Sequence, residues 1–317
     1  MPDVVALGEL LIDFTCRSVD AQGYPTMVAH PGGAPANFLA ALAKFGCSTA
    51  LIGKVGGDAF GKLLVNTLQE AGIETRALVV DETVFTTLAF VTLDAQGDRE
   101  FSFARKPGAD TCLRPEEIDP ELIRQAKVFH FGTLSLTDEP ARSATVHAVA
   151  IAREAGKLIT FDPNLRKPLW KDLQQAKEQM LWGLKQADVV KISDEEVQFL
   201  FGLEPEAGAE HILKAYGVKL VFVTCGSQGC YFRNAVTQGR VPSLTGLKVA
   251  DTTGAGDIFG GSAVWKLLQL GKKPEELTQG EARAVAAFGC TSAGLSVTKP
   301  GGISSVPDYQ RVLEHLV

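Results

Sequence analysis

The stretch Asp251-Thr252-Thr253-Gly254-Ala255-Gly256-Asp257 gathers two hydroxyls, three small residues and two carboxylates into one turn. The run that follows, with Ile258, Phe259, Leu267 and Leu270, reads as an amphipathic helix. Glycines let backbone N–H groups approach a ligand closely. The first N–H groups of a helix have no partner within it, and the positive end of the helix dipole adds to their pull on an anion. Gly254, Ala255 and Gly256 are therefore suited to the negative charge that builds on a phosphoryl group in transfer. Asp257 falls in the first helical turn, where the dipole favours an ionised carboxylate at neutral pH. Such a carboxylate can take the proton of an alcohol attacking phosphorus. A lone aspartate at a helix start is more often a cap. The paired threonines, the small residues and the second carboxylate make this turn more specific than that.

Two better-known phosphate loops do not fit. Gly56-Gly57-Asp58-Ala59-Phe60-Gly61-Lys62 has the P-loop spacing up to its lysine, but Leu63 stands where a Mg²⁺-binding hydroxyl is required. After the first apolar strand, Gly8 is followed by Glu9-Leu10-Leu11 rather than by a dinucleotide-binding glycine series, which disfavours a nicotinamide dehydrogenase.

The elements that must position the turn alternate as strand, turn and helix. Strands are expected near 4–8, 50–55, 127–131, 157–161, 189–192 and 220–223. Helices are expected near 35–45, 59–71, 141–154, 172–186, 209–216, 257–269 and 281–293. This alternation predicts a parallel sheet covered by helices on both faces. One region departs from it. Residues 85–93 and 99–105 read as two strands joined by the turn cluster Asp94-Ala95-Gln96-Gly97-Asp98, with Phe101, Phe103 and Arg105 on one face. Together with the helix-poor stretch 15–31, this hairpin predicts a small β lid over the mouth of the sheet.

Of the 317 residues 45% are hydrophobic and 21% charged, an ordinary globular composition. The net charge is −6 with no long basic block, which argues against nucleic acid as a partner. No apolar run is long enough to span a membrane, and Met1-Pro2-Asp3 leads directly into a strand pattern without a signal-peptide core. The six cysteines at 16, 47, 112, 225, 230 and 290 lack the spacing of a zinc site. The expectation is a cytoplasmic protein with reduced cysteines.

Two separated signatures go further. The first is Pro31-Gly32-Gly33-Ala34-Pro35-Ala36-Asn37 with Gly53-Lys54-Val55-Gly56-Gly57-Asp58-Ala59-Phe60-Gly61, and the second is the 251–257 turn. Between them lie Phe129-His130-Phe131-Gly132, Phe161-Asp162-Pro163-Asn164-Leu165-Arg166 and Lys191-Ile192-Ser193-Asp194-Glu195-Glu196. On these residues the chain resembles the ribokinase-type (PfkB-like) carbohydrate kinases over nearly its whole length, and within them the fructokinases. The resemblance implies an α/β fold: a ribokinase-like three-layer αβα sandwich with a mostly parallel central sheet and a small β lid. Residues 1–317 would form one domain, with the lid inserted at about 15–31 and 76–111.

The resemblance also implies roles. Asp13, at the end of the first strand, and Gly32, Gly33 and Asn37 would bind sugar hydroxyls, joined by Phe103 and Arg105 from the lid and by Asp162, Asn164 and Arg166 after a strand. Ala104 stands where fructokinases often carry tyrosine. Lys191, Ser193, Thr224, Gly226 and Gly229 would serve ATP with Gly254 and Gly256, and Glu196 would help hold Mg²⁺, mainly through water. Asp251, Thr253, Ser296, Gly301 and Ser305 match a monovalent-cation (K⁺) site in relatives. The implied reaction moves phosphate from ATP to the 6-hydroxyl of a sugar, fructose foremost, with Asp257 as base. A 2-keto-3-deoxygluconate kinase and a catalytically idle sugar- or nucleotide-binding protein are the alternatives. Exposed lid strands have free edges, so a homodimer through the lid is expected.

Overall fold

Strand β1 (Val4–Leu7) shows why the sheet is covered twice. Val5 and Leu7 enter one apolar cluster, Val4 and Ala6 another. Side chains alternate along a strand, so a run that is apolar at every position needs a cover on each face. The computed structural model describes residues 1–93 and 99–316. The turn cluster 94–98 lies outside the described residues, as does the side chain of Phe101.

The central sheet continues through β4 (Thr49–Gly56), β9 (Val128–Gly132), β10 (Leu158–Asp162), β11 (Val189–Ser193) and β12 (Leu220–Thr224), all parallel. It closes with β13 (Cys230–Asn234) and β14 (Gln238–Val241), both antiparallel. At its other edge β5 (Ile73–Glu74) and β6 (Leu78–Asp81) pair with different parts of β4. The order is β14-β13-β12-β11-β10-β9-β1-β4-β5.

Helices α3 (Pro120–Gln125), α4 (Ala141–Glu154), α5 (Leu173–Gln186), α6 (Asp194–Phe201) and α7 (Pro205–Tyr216) cover one face through Leu122, Val149, Met180, Val197 and Ile212. Helices α1 (Ala34–Lys44), α2 (Ala59–Glu70), α8 (Ala255–Leu270), α9 (Gln279–Ser296) and α10 (Tyr309–Glu314) cover the other through Phe38, Leu64, Val264, Phe288 and Val312. The result is the expected three-layer sandwich with a mostly parallel sheet. The terminal antiparallel hairpin β13–β14 was not among the expected strands.

A second sheet forms from β2 (Leu11–Val19), β3 (Pro25–Gly32), β7 (Leu88–Leu93) and β8 (Arg99–Ala104), in the order β3-β2-β7-β8. The expected hairpin is present: Leu88 pairs with Ala104 and Ala89 with Phe103. The lid strands are Leu11–Val19, Pro25–Gly32, Leu88–Leu93 and Arg99–Ala104, whereas a lid at about 15–31 and 76–111 was expected. Leu11 and Ile12 are as buried as β1, so composition gives no sign that the chain has changed sheets there. Leu78–Asp81 pairs with Gly53–Gly56 and so belongs to the central sheet.

Candidate active site

Asp257 lies in the first turn of α8 and is 9% exposed. The residue before the helix, Gly254, has φ 75°, a left-handed conformation that glycine adopts without strain. A Cβ at Gly254 would also lie 3.0 Å from Asn37 Nδ2 and 3.0 Å from Gly302 Cα. Helix α1 comes close to α8 because Gly261 has no side chain: a Cβ there would run into the Phe38 carbonyl. That approach lets Asn37 Nδ2 donate to Asp257 Oδ2 at 2.9 Å. Asn164, in the turn after β10, donates its Nδ2 to Oδ1 at 3.3 Å. Two amides thus fix the carboxylate from two elements far apart in sequence. Residue 164 has φ 45°, a backbone asparagine tolerates better than most side chains.

At Asp257 the depth of burial, which a place at a helix start does not reveal, outweighs the dipole. Burial pushes the Asp257 pKa above the ordinary aspartate value, while the Asn37 hydrogen bond and the charges of Lys191 and Arg166 pull the other way and Glu196 adds to the rise. Asp257 is a stronger base than an exposed aspartate, as proton abstraction requires.

Beside it, Lys191 Nζ pairs with Asp162 Oδ2 at 2.9 Å; the Asp162 side chain is buried and that of Lys191 is 12% exposed. Burial lifts the Asp162 pKa to about 6 against the pull of Lys191. Burial works against the Lys191 charge, yet Asp162, Glu196 and Asp257 together hold its pKa above the usual lysine value. Burial likewise raises the Asp13 pKa to about 6; Arg166 opposes the rise, and Asp257 and Asp251 add to it.

Asp13, Arg166, Lys191, Glu196 and Asp257 line one cavity of about 950 Å³. Its walls carry Asp13, Gly33, Asn37, Phe103, Asn164 and Arg166, and also Lys191, Ser193, Glu196, Thr253, Gly254, Gly256 and Asp257. Asp13 comes from β2, not from the end of β1 as expected, because the chain re-enters a strand only four residues after Leu7. Gly32 ends β3 against the Asp13 carboxyl. Ala255 opens α8. Asp162 lies under Lys191 rather than on the cavity wall.

Glu196 caps α6. Its Oε1 accepts from Leu165 N at 2.7 Å and its Oε2 from Ser193 N at 2.9 Å, while Ser193 Oγ accepts from Glu196 N at 3.1 Å. Each carboxylate oxygen keeps a lone pair beyond these bonds, enough to hold a hydrated cation through water. Among the described residues no group of three or more His, Cys, Asp or Glu side chains could cage a metal. That donor set suits Mg²⁺, which retains water and bridges phosphates. Thr224 is the register partner of Ser193 on the neighbouring strand. Gly226 and Gly229, with φ 53° and 92°, make the turn into β13.

Three of the residues expected at a cation site, Asp251, Thr253 and Gly301, meet through hydrogen bonds. Asp251 Oδ1 accepts from Thr253 N and Oγ1 at 2.9 and 2.7 Å, and Oδ2 accepts from Gly301 N at 3.1 Å. Ser296 and Ser305 are buried, with their hydroxyls donated to the Ala293 and Gly302 carbonyls.

Arg105 is the clearest departure from expectation. It is 6% exposed and turned inward. Its Nε donates to Asp110 Oδ2, Nη1 to Thr137 Oγ1 and Nη2 to the Leu134 carbonyl, each at 2.8 Å. It lies behind the lid rather than on the cavity wall, where the expected sugar contact would have put it. The alternation that placed it with Phe103 ends at Ala104, the last residue of β8.

Glu9, Leu11, Val91, Leu134, Lys167 and Phe199 also line the cavity, outside the residues expected there. Glu9 alone carried a visible signal: a carboxylate set inside the apolar run 4–12.

A family model described as pfkB family carbohydrate kinase matches residues 1–309. Fructokinase-1 of Zea mays is 41% identical, covering 98% of this chain and 96% of its own. The crystal structure of a Xylella fastidiosa fructokinase with bound ATP superposes with a TM-score of 0.90 at 29% identity, covering 99% of this chain and 98% of that one. A fructokinase double mutant from Vibrio cholerae O395, in a form with fructose, ADP and potassium ion bound, gives a TM-score of 0.88 at 30% identity, with 99% and 98% covered.

Proposed function

The chain belongs to the pfkB family of carbohydrate kinases, and on that premise we propose that it transfers the γ-phosphoryl group of ATP to the 6-hydroxyl of D-fructose, giving fructose 6-phosphate and ADP. One observation carries the reading. The Asp257 carboxylate, held by two asparagines, lines a single cavity together with Asp13, Gly33 and Asn37 and with Lys191, Ser193 and Glu196. Sugar hydroxyls meet Asp13, Asn37 and the backbone at Gly33. Asn37 keeps its buried Oδ1 without a hydrogen bond, an acceptor suited to a hydroxyl. ATP extends past Lys191 and Ser193 toward Thr224, and the N–H groups at Gly254–Gly256 face the oxygens in transfer. Mg²⁺, when bound near Glu196, supplies charge neutralisation at the phosphates. Asp257 takes the proton of the attacking hydroxyl. Closure of the lid excludes water and limits hydrolysis of ATP. The residues around Asp251 would hold K⁺.

A neutral sugar is favoured over 2-keto-3-deoxygluconate because the lid arginine is spent on Asp110, while Leu11, Val91 and Phe103 make the lid wall apolar. The test is ADP release with Mg·ATP and fructose, 2-keto-3-deoxygluconate or ribose. Fructose is expected to give the highest kcat/KM. ADP release that no sugar stimulates would overturn the kinase reading and leave a binding protein.

The lid's β2–β3 hairpin exposes Val19 (60%) and Tyr24 (71%), which supports pairing with the lid of a second copy. Light scattering is expected to give twice the 33.8 kDa chain mass, and a monomer at working concentration would refute the pairing. All six cysteines are free, which fits a reducing cytoplasm, and no helix among the described residues is long and apolar enough to cross a membrane.

A further inference from the structure

Helix α1 begins without a cap of its own. Its N-cap residue is Gly33, which has no side chain to accept from the exposed N–H groups of the first turn. No other residue type fits there: φ is 120°, and a Cβ would collide with the Glu9 carbonyl. The missing acceptor comes from across the fold. Glu9, 2% exposed in the link between β1 and β2, accepts the Ala34 N–H on Oε1 at 2.8 Å. Ala34 sits between Gly33 and Asn37, and Asn37 holds Asp257. Glu9 also lines the cavity beside them.

We propose that Glu9 is a positioning residue for the sugar: its carboxylate caps α1 from a distance and thereby holds Gly33 and Asn37 in the geometry that receives the hydroxyls. The proposal rests on the sugar-kinase reading above. A charged acceptor binds an N–H about twice as strongly as a neutral one, and it also meets the positive end of the α1 dipole. The grip therefore depends on protonation. Burial lifts the Glu9 pKa to about 7; the amides of Ala34 and of Glu9 itself oppose the rise, Asp110 adds to it and Arg105 opposes it. Asp110 and Arg105 are the charges that act on it, and Asp13 on β2 lines the same cavity. The Glu9 carboxylate forms as pH rises through about 7, so the cap tightens from pH 6 to pH 8.

The experiment compares fructose KM for the wild type and Glu9→Gln across pH 6 to 8. Glutamine keeps an acceptor oxygen at the same reach but has no charge to gain. In the wild type KM is expected to fall by about fivefold over this range, the difference between a charged and a neutral hydrogen bond. In Glu9→Gln that limb should vanish, leaving KM close to the wild-type value at pH 6 and about fivefold above it at pH 8. Any limb that persists near pH 6 belongs to Asp13, whose pKa is also about 6. A KM ratio between the two proteins that does not change with pH overturns the proposal, because a purely structural glutamate would give that result. Absence of fructose-dependent ADP release in the wild type would instead overturn the sugar-kinase reading. ATP affinity, measured by titration calorimetry, should match in both proteins; a loss in Glu9→Gln would show general damage and also count against a local role.

Discussion

Replacing Asp257 with asparagine is expected to lower kcat by at least about 100-fold, the usual contribution of a positioned general base. Fructose KM should change far less, because asparagine keeps the size of the group and can still accept on its one amide oxygen from either Asn37 or Asn164, which hold the carboxylate at 2.9 and 3.3 Å. Loss of the fold cannot mimic this outcome. The Asp257 pKa is raised chiefly by burial, so the native state binds this proton more tightly than the unfolded chain does. The group favours folding at low pH, and that contribution is lost as pH rises through its folded pKa. At neutral pH the charge therefore costs stability, and asparagine should leave the urea midpoint equal or higher. The pH profile gives a second readout. Wild-type kcat should fall on the acid side with unit slope in log kcat, at a pH above the ordinary aspartate range, and the variant should lack that limb. Turnover within tenfold of wild type would remove Asp257 from the mechanism.

How far the sequence reached depended on the scale of each signal. The sheet was legible because strands β1 and β9 to β12 are apolar at consecutive positions, a pattern produced by cover on both faces. The 251–257 turn was legible because its chemistry is local: glycine, small residue, glycine and carboxylate occupy neighbouring positions. The contacts that complete the site were not. Asn37 meets Asp257 across 220 residues, through a close helix contact that Gly261 permits. Arg105 read as a lid residue because strand alternation was carried one position too far. Its turn inward depends on Asp110, which no local pattern ties to it. Glu9 stands out in its apolar run, but its role does not. A carboxylate after a buried strand has no assigned partner until the fold brings Ala34 to it. The Asp257 pKa went astray for a related reason, since position in a helix gives the dipole but not the depth of burial.

Replacing Lys191 with methionine should be the most destabilising single change in the site. The side chain is nearly isosteric, so packing is largely kept, but Asp162 loses the ammonium 2.9 Å from its Oδ2. Removing one partner of a buried pair leaves an uncompensated charge and costs on the order of 3–5 kcal/mol. The loss should depend on pH. Asp162 already titrates at about 6 with Lys191 present, and without it the pKa rises further. Protonation relieves the unpaired charge, so the deficit in urea should be small near pH 5 and grow toward pH 8. Catalysis should respond through a different group. Lys191 also pulls down the Asp257 pKa, so its removal should move the acid limb of kcat to higher pH. The double variant Asp162→Asn with Lys191→Met separates the two effects. With neither charge buried, most of the stability should return, because the penalty came from the unpaired carboxylate rather than from lost packing. The acid limb should return part of the way, because Asp162→Asn also removes a negative charge that repels the Asp257 carboxylate. A double variant as unstable as Lys191→Met would mean that Asp162 is not the group Lys191 neutralises. An unshifted limb in both variants would mean that the lysine charge does not reach the base.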